Sequence, residues 1–183
     1  MKTKNNRNKV YDYRERFDSK YGILFEECTN NINSLVQEAK LLFENGFYAR
    51  SFMISYTALE ELGKRLIVAD YINDIVSESE LKRAFYNHDI KMAYLHNNAN
   101  LIKNDTGSYD AEIVYDLDKY GKWLKERNKS LYVDFRENEI KSPIKEITKE
   151  YAQKILNYVY KIIKDTNFYE GFNGRIGSKA IYK

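Results

Sequence analysis

The segment Glu60-Glu61-Leu62-Gly63-Lys64 sets two carboxylates and an amine within five residues. On a helix Glu60 and Lys64 share a face, as do Glu61 and Arg65. Both pairs run in the acid-first order that stabilises a helix by about 0.2–0.5 kcal/mol each. Spacing alone therefore fits two solvated ion pairs. Glu60 also follows Tyr56 by four residues at the edge of an apolar stripe, so it is expected to be partly buried and to require a specific partner.

Phe85-Tyr86-Asn87-His88-Asp89-Ile90-Lys91 is a second candidate, because His88 and Lys91 fall on one helical face. His88 continues the apolar positions Leu81, Phe85 and Met92. A histidine so placed is more often a hydrogen-bonded core residue than a catalyst. The third candidate is Arg127-Asn128-Lys129-Ser130-Leu131-Tyr132, in a basic neighbourhood that includes Lys122 and Lys125. Arginine can hold a phosphate through two parallel hydrogen bonds, and asparagine can orient a hydroxyl. A helix end accounts for the same residues slightly better, since basic side chains suit the C-terminal dipole and asparagine suits termination. One cysteine (Cys28) and two histidines are poor material for a transition-metal site, and no metal or other cofactor is expected. Phosphate-binding glycine loops, paired metalloprotease histidines and serine elbows are absent from the sequence.

The elements that must position these residues read as helices. The spacing of Leu24, Cys28, Ile32, Leu35, Ala39 and Leu42 predicts a helix over 23–45, stopped by Asn45-Gly46. A second follows over 47–72, with Phe52, Tyr56, Leu59, Gly63 and Leu66 inward; Gly63 marks close packing against a neighbour. The short connection predicts an antiparallel pair. Ser77-Glu78-Ser79-Glu80 reads as a capping box for a third helix with Leu81, Phe85, His88, Met92 and Leu95 inward. Asp110 reads as the cap of a fourth, carrying Ile113, Leu117, Tyr120 and Leu124 and weakening near Arg127-Asn128. Ser142-Pro143 opens a last helix to about Asp165, with Ile144, Ile147, Tyr151, Ile155, Tyr158 and Ile162 on one face. Only Leu131–Phe135 looks strand-like. The expectation is an all-α antiparallel bundle of about five helices without a significant sheet.

The totals agree with one domain: 183 residues, 43% hydrophobic and 31% charged, with a single proline to interrupt helices. Net charge is +3, too weak by itself to argue for nucleic-acid binding. Seven Lys/Arg and three acidic residues fall within residues 1–20, so the excess positive charge sits there. The expected division is a basic, partly disordered arm (1–20), a helical domain (21–168) and a flexible tail (169–183). A polar start, a lone cysteine and no run of 18 apolar residues lead to the expectation of a cytoplasmic protein without a leader or membrane span.

Taken together and in this order, Gly46-Phe47-Tyr48-Ala49-Arg50-Ser51, Ala58-Leu59-Glu60-Glu61-Leu62-Gly63-Lys64, Phe85 with His88 and Lys91, and Arg127-Asn128-Lys129-Ser130-Leu131-Tyr132-Val133-Asp134 resemble the AbiV family over roughly residues 30–165. The resemblance implies abortive infection, in which an infected bacterium halts its own metabolism, with translation arrested once a phage-encoded activator acts. It also implies kinship with the HEPN superfamily of helical, usually dimeric proteins. Many of those are metal-independent ribonucleases with an Arg-Asn-x-x-x-His signature at the dimer interface. Arg127 and Asn128 match its first two positions, and Tyr132 stands in place of the histidine. Tyrosine ordinarily titrates near pH 10 and is a poor base at neutral pH.

The leading reading is thus a homodimeric antiphage effector. It cleaves or binds RNA at Arg127, Asn128, Tyr132 and His88, supported by Glu60, Glu61, Lys64 and Lys91. A second reading is a non-enzymatic module that captures a phage or host protein through its helical surface, with the polar set as a buried network. A third is an antitoxin or structural partner tethered to nucleic acid by the basic arm.

Overall fold

Asn45, Gly46 and Phe47 turn the chain between two long helices, α1 (Lys20–Glu44) and α2 (Tyr48–Ile72), in the computed structural model, which describes residues 19–95, 122–136 and 138–173. Gly46 takes φ +80°, a left-handed conformation natural to glycine. This lets Gly46 N–H reach the Phe43 carbonyl at 3.0 Å and Phe47 N–H reach that of Leu42 at 2.9 Å, closing the end of α1. Across the pair, Ser51 Oγ donates to the Ala39 carbonyl at 2.7 Å, Arg65 sits over the Phe25 ring, and Tyr21 meets Tyr71. Only antiparallel helices give that order of partners.

α2 has 17 buried residues among its 25, so it is the central element and needs neighbours on more than one side. α1 covers one side with Ile32 and Val36. The last helix, α7 (Lys149–Asn173), covers another with Ala152, Ile155, Val159 and Ile162. Fully buried Phe52, Leu59, Leu62, Ile155 and Ile162 each contribute about 1.5–3 kcal/mol of transfer free energy. A second apolar cluster (Ile67, Val68, Ile72, Val76, Leu81, Ala84) closes the far end of α2.

The third helix begins as the sequence predicts. Ser77 Oγ accepts from Glu80 N–H at 3.3 Å, and Glu80 Oε2 accepts from Ser77 N–H at 2.7 Å. It then departs from expectation. α3 (Glu78–Tyr86) stops at Asn87, whose backbone is extended (φ −118°, ψ 115°), and α4 resumes over 88–95. The Asn87 side-chain oxygen accepts from Ile90 N–H at 3.1 Å, capping the new helix. One asparagine thus ends one helix and starts the next, and the apolar periodicity on either side hides the joint.

α5 (Lys122–Leu131) runs on through Arg127 and Asn128, where the sequence pattern weakens. A two-stranded antiparallel hairpin follows, β1 (Asp134–Arg136) and β2 (Glu139–Lys141), with Phe135 opposite Ile140 and Asn138 at φ +63° in the turn. Of the strand-like stretch Leu131–Phe135, only Asp134 and Phe135 enter a strand; Leu131 ends α5. The predicted last helix is two pieces. α6 (Pro143–Glu146) ends at Ile147 (φ −107°, ψ 104°), and the Thr148 hydroxyl accepts from Tyr151 N–H at 3.2 Å to open α7. The break shifts the helical phase: Ile147 is buried, whereas Ile144, expected inward, is 88% exposed. α7 continues to Asn173, past the Asp165 end that the apolar stripe suggests. The described chain is all-helical apart from this hairpin. Asp110, Ile113, Leu117, Tyr120, most of the basic arm and the end of the tail lie outside the described residues. No described helix is long and apolar enough to cross a membrane.

Candidate functional site

The middle of α2 and the start of α4 meet at Gly63. A Cβ built there would lie 2.3 Å from the Lys91 carbonyl oxygen, so only hydrogen fits between the two backbones. Because α4 restarts at Asn87, this contact sets His88 directly over Glu60. His88 Nδ1 and Glu60 Oε1 are 2.7 Å apart. With Glu60 on Nδ1, Nε2 is the ring nitrogen left for another partner. The Glu60 side chain is 8% exposed and that of His88 is 43% exposed, so the pair is anchored inside and opens outward.

Tyr56, one turn before Glu60, is buried beneath it and hydrogen-bonds it. Burial raises the Tyr56 hydroxyl well above the ordinary phenol range. The Glu60 charge adds to this, and the Arg127 guanidinium opposes it. Arg127 on α5 therefore acts on the same cluster as His88. Its Nε is buried without a hydrogen-bond partner among the described residues.

Lys64 donates to Glu61 and lies 5.7 Å from the centre of the Phe85 ring. The four-residue pairs expected from spacing are thus replaced: Glu60 takes His88, Glu61 takes Lys64, and Arg65 is buried against Phe25. Lys91 is 5% exposed. Its proton affinity is lowered first by burial, then by the Lys64 charge, with Glu60 and Glu61 pulling the other way and Arg127 adding to the lowering.

The structure accordingly gathers Glu60, Glu61, Lys64, His88, Lys91 and Arg127 about the middle of α2. It does not bring Asn128 and Tyr132 to them. On α5, Glu126 and Ser130 face inward, Arg127 and Leu131 lie on the flank, and Asn128 and Tyr132 are exposed, Tyr132 at 64%. Ser130 Oγ donates to the Arg127 carbonyl at 2.6 Å and Lys129 pairs with Glu126 at 2.8 Å, fixing that orientation. Beyond Tyr132 the surface is apolar, with Val133, Phe135, Ile140 and Ile144 each at least 65% exposed. Tyr56 is a site residue that reading the sequence placed only in the core. The four-residue step from Tyr56 to Glu60 was the available signal.

The family model described as AbiV, of HEPN type, matches residues 21–164, more than half of the chain. Neither a curated protein nor a solved structure matches it.

Proposed function

The chain belongs to the AbiV family of HEPN abortive-infection proteins, and from that premise we propose that it is an antiphage effector that arrests host translation and growth on infection by acting on RNA without a metal. The observation that carries this reading is the 2.7 Å bond between Glu60 and His88, within reach of the Arg127 charge. It supplies a titratable imidazole where Tyr132 leaves the HEPN signature without one. In the proposed reaction His88 Nε2 takes the proton of an RNA 2′-hydroxyl. The oxygen attacks the adjacent phosphorus, and the bond to the 5′-oxygen breaks as that oxygen takes a proton from water, leaving a 2′,3′-cyclic phosphate and a 5′-hydroxyl, while the imidazolium returns its proton to solvent. Arg127 stabilises the charge that grows on the phosphoryl oxygens. Glu60 holds the imidazole tautomer and stabilises its protonated form.

Asn128 and Tyr132 enter through a second copy. Exposed Tyr132, Val133, Phe135, Ile140 and Ile144 form an apolar surface of the kind that subunits cover. A homodimer closed there would bury both outer faces. The same surface also favours the alternative, capture of a phage or host protein without RNA cleavage. A phage-encoded activator, action in the cytoplasm and the three-part division of the chain complete the proposal.

The test is incubation of purified protein with total cellular RNA and a metal chelator, with and without phage lysate. Cleavage by the wild type that drops about 10²-fold or more in Arg127→Ala and His88→Ala is expected. Intact RNA in every sample, with folded protein, would replace cleavage by protein capture.

A further inference from the structure

We propose that two copies of the chain join edge to edge through β2, Ile140 against Ile140, so that their hairpins become one four-stranded antiparallel sheet. The inference deepens the homodimer reading above, to which it gives a strand and a register, and rests on it for the identity of the partner.

The hairpin sets Arg136 opposite Glu139 with only residues 137 and 138 between them, so this pair exchanges the hydrogen bonds that close the turn. Bonded and unbonded pairs alternate along an antiparallel ladder. The N–H and C=O of the next pair, Phe135 and Ile140, therefore point away from each other, toward the two outer edges. Among the described residues no backbone group takes up those of Ile140, and no strand but β1 lies along β2. Glu139, Ile140 and Lys141 are all exposed, whereas Asp134 on β1 is half-buried, so β2 is the more open edge. Edge strands are commonly guarded by charges that repel a second strand. β2 carries the opposite pattern, acid, apolar, base. Its Glu139 and Lys141 are 4.0 Å apart within the strand, at the limit of an ion pair. Laid antiparallel on a second copy with Ile140 opposite Ile140, Glu139 faces Lys141 and Lys141 faces Glu139. A parallel alignment sets acid against acid and base against base, so the charges select both the partner and its direction. The register inside the hairpin extends the pattern. One row across the four strands holds Asp134 and Lys141, then Glu139 and Arg136 of the second copy, alternating in sign throughout. The central row is apolar, with Phe135 67% and Ile140 65% exposed in the single chain. A two-stranded hairpin is marginal by itself, and two more strands support it.

Sedimentation of the full chain tests this by charge reversal. Glu139→Lys and Lys141→Glu, each checked for native helicity, set like charges opposite each other on both sides of the Ile140 pair. Each variant alone should self-associate about tenfold or more weakly than the wild type. Mixed in equal amounts, the two variants again face each other with opposite charges and should regain wild-type association. Whatever either substitution does to its own hairpin is the same alone and mixed, so a folding defect cannot imitate the recovery. A monomeric wild type, which leaves the edge to another protein, overturns the proposal, as does failure to recover on mixing. Wild-type association in the single variants also overturns it, and leaves a homodimer that closes on another surface. Cellular RNA scored in the same samples keeps the readings apart. Intact RNA beside recovery on mixing removes the ribonuclease reading and leaves the strand pairing standing.

Discussion

The inner and outer halves of the candidate site are built by different means. The inner half, Tyr56, Glu60, His88, Lys91 and Arg127, is held by buried hydrogen bonds and a backbone contact between α2 and α4. The outer half, Asn128 on α5 and Tyr132 just past its end, is exposed beside an apolar hairpin. Arg127 is the hinge between them, adjacent in sequence to Asn128 and turned the other way by one helical step. A sequence motif read as one unit is therefore split by the helix into a part fixed by this chain and a part left for a neighbour.

The comparison breaks most readily at Gly63. Alanine is the better helix former by about 1 kcal/mol, but a methyl group there must push the Lys91 carbonyl away, at about 3 kcal/mol. A net loss of about 2 kcal/mol for Gly63→Ala, read from urea unfolding, is expected. Wild-type stability in that variant would mean that α4 does not rest on α2.

The outer half should behave oppositely. Tyr132→Ala and Phe135→Asp are expected to change monomer stability by less than about 0.5 kcal/mol. In sedimentation they should weaken self-association by tenfold or more. Unchanged association would take the outer half out of the dimer contact and favour a different partner surface.

The smallest effect tests how dry the base of the inner half is. Cys28 lies buried near Glu61, Lys64 and Arg65, and burial pushes its thiol up to about 11 from an ordinary 9.0, with the Glu61 charge adding to the shift. The fold thus favours the neutral thiol. Its contribution is full below pH 9 and is lost as pH rises through about 11. Unfolding followed by denaturant at several pH values should fall less steeply over that window in Cys28→Ala. An identical slope, or rapid alkylation of native Cys28 at pH 8, would show water at that depth.

Much of this was legible in the sequence. The apolar stripes of α1 and α2, the capping box at Ser77 and the proline start of α6 follow from local chemistry that tertiary packing reinforces. The breaks at Asn87 and Ile147 were not, because apolar spacing continues across them. Each is made by a single cap whose use depends on what the helix meets next. The expectation that Glu60 needs a partner followed from its place beside Tyr56, and the structure supplies His88. The identity of the pairs was beyond spacing, since i,i+4 geometry is worth only tenths of a kcal/mol and yields to a buried contact. That Arg127 and Asn128 diverge follows from helix phase, which became visible only once α5 was seen to run through them.

The central place of α2 also has a consequence for synthesis. Its α1 face is covered as soon as it leaves the ribosome, but the face that meets Ile155, Val159 and Ile162 must wait for the last helix. At roughly 5–20 residues per second, the intervening chain takes about 5–20 s to make, and through that interval the nascent protein carries an open apolar face. Glu60 and Gly63 are made early, Arg127 late, so a growing chain assembles the inner half of its site only near the end of translation, the process the finished protein is proposed to arrest.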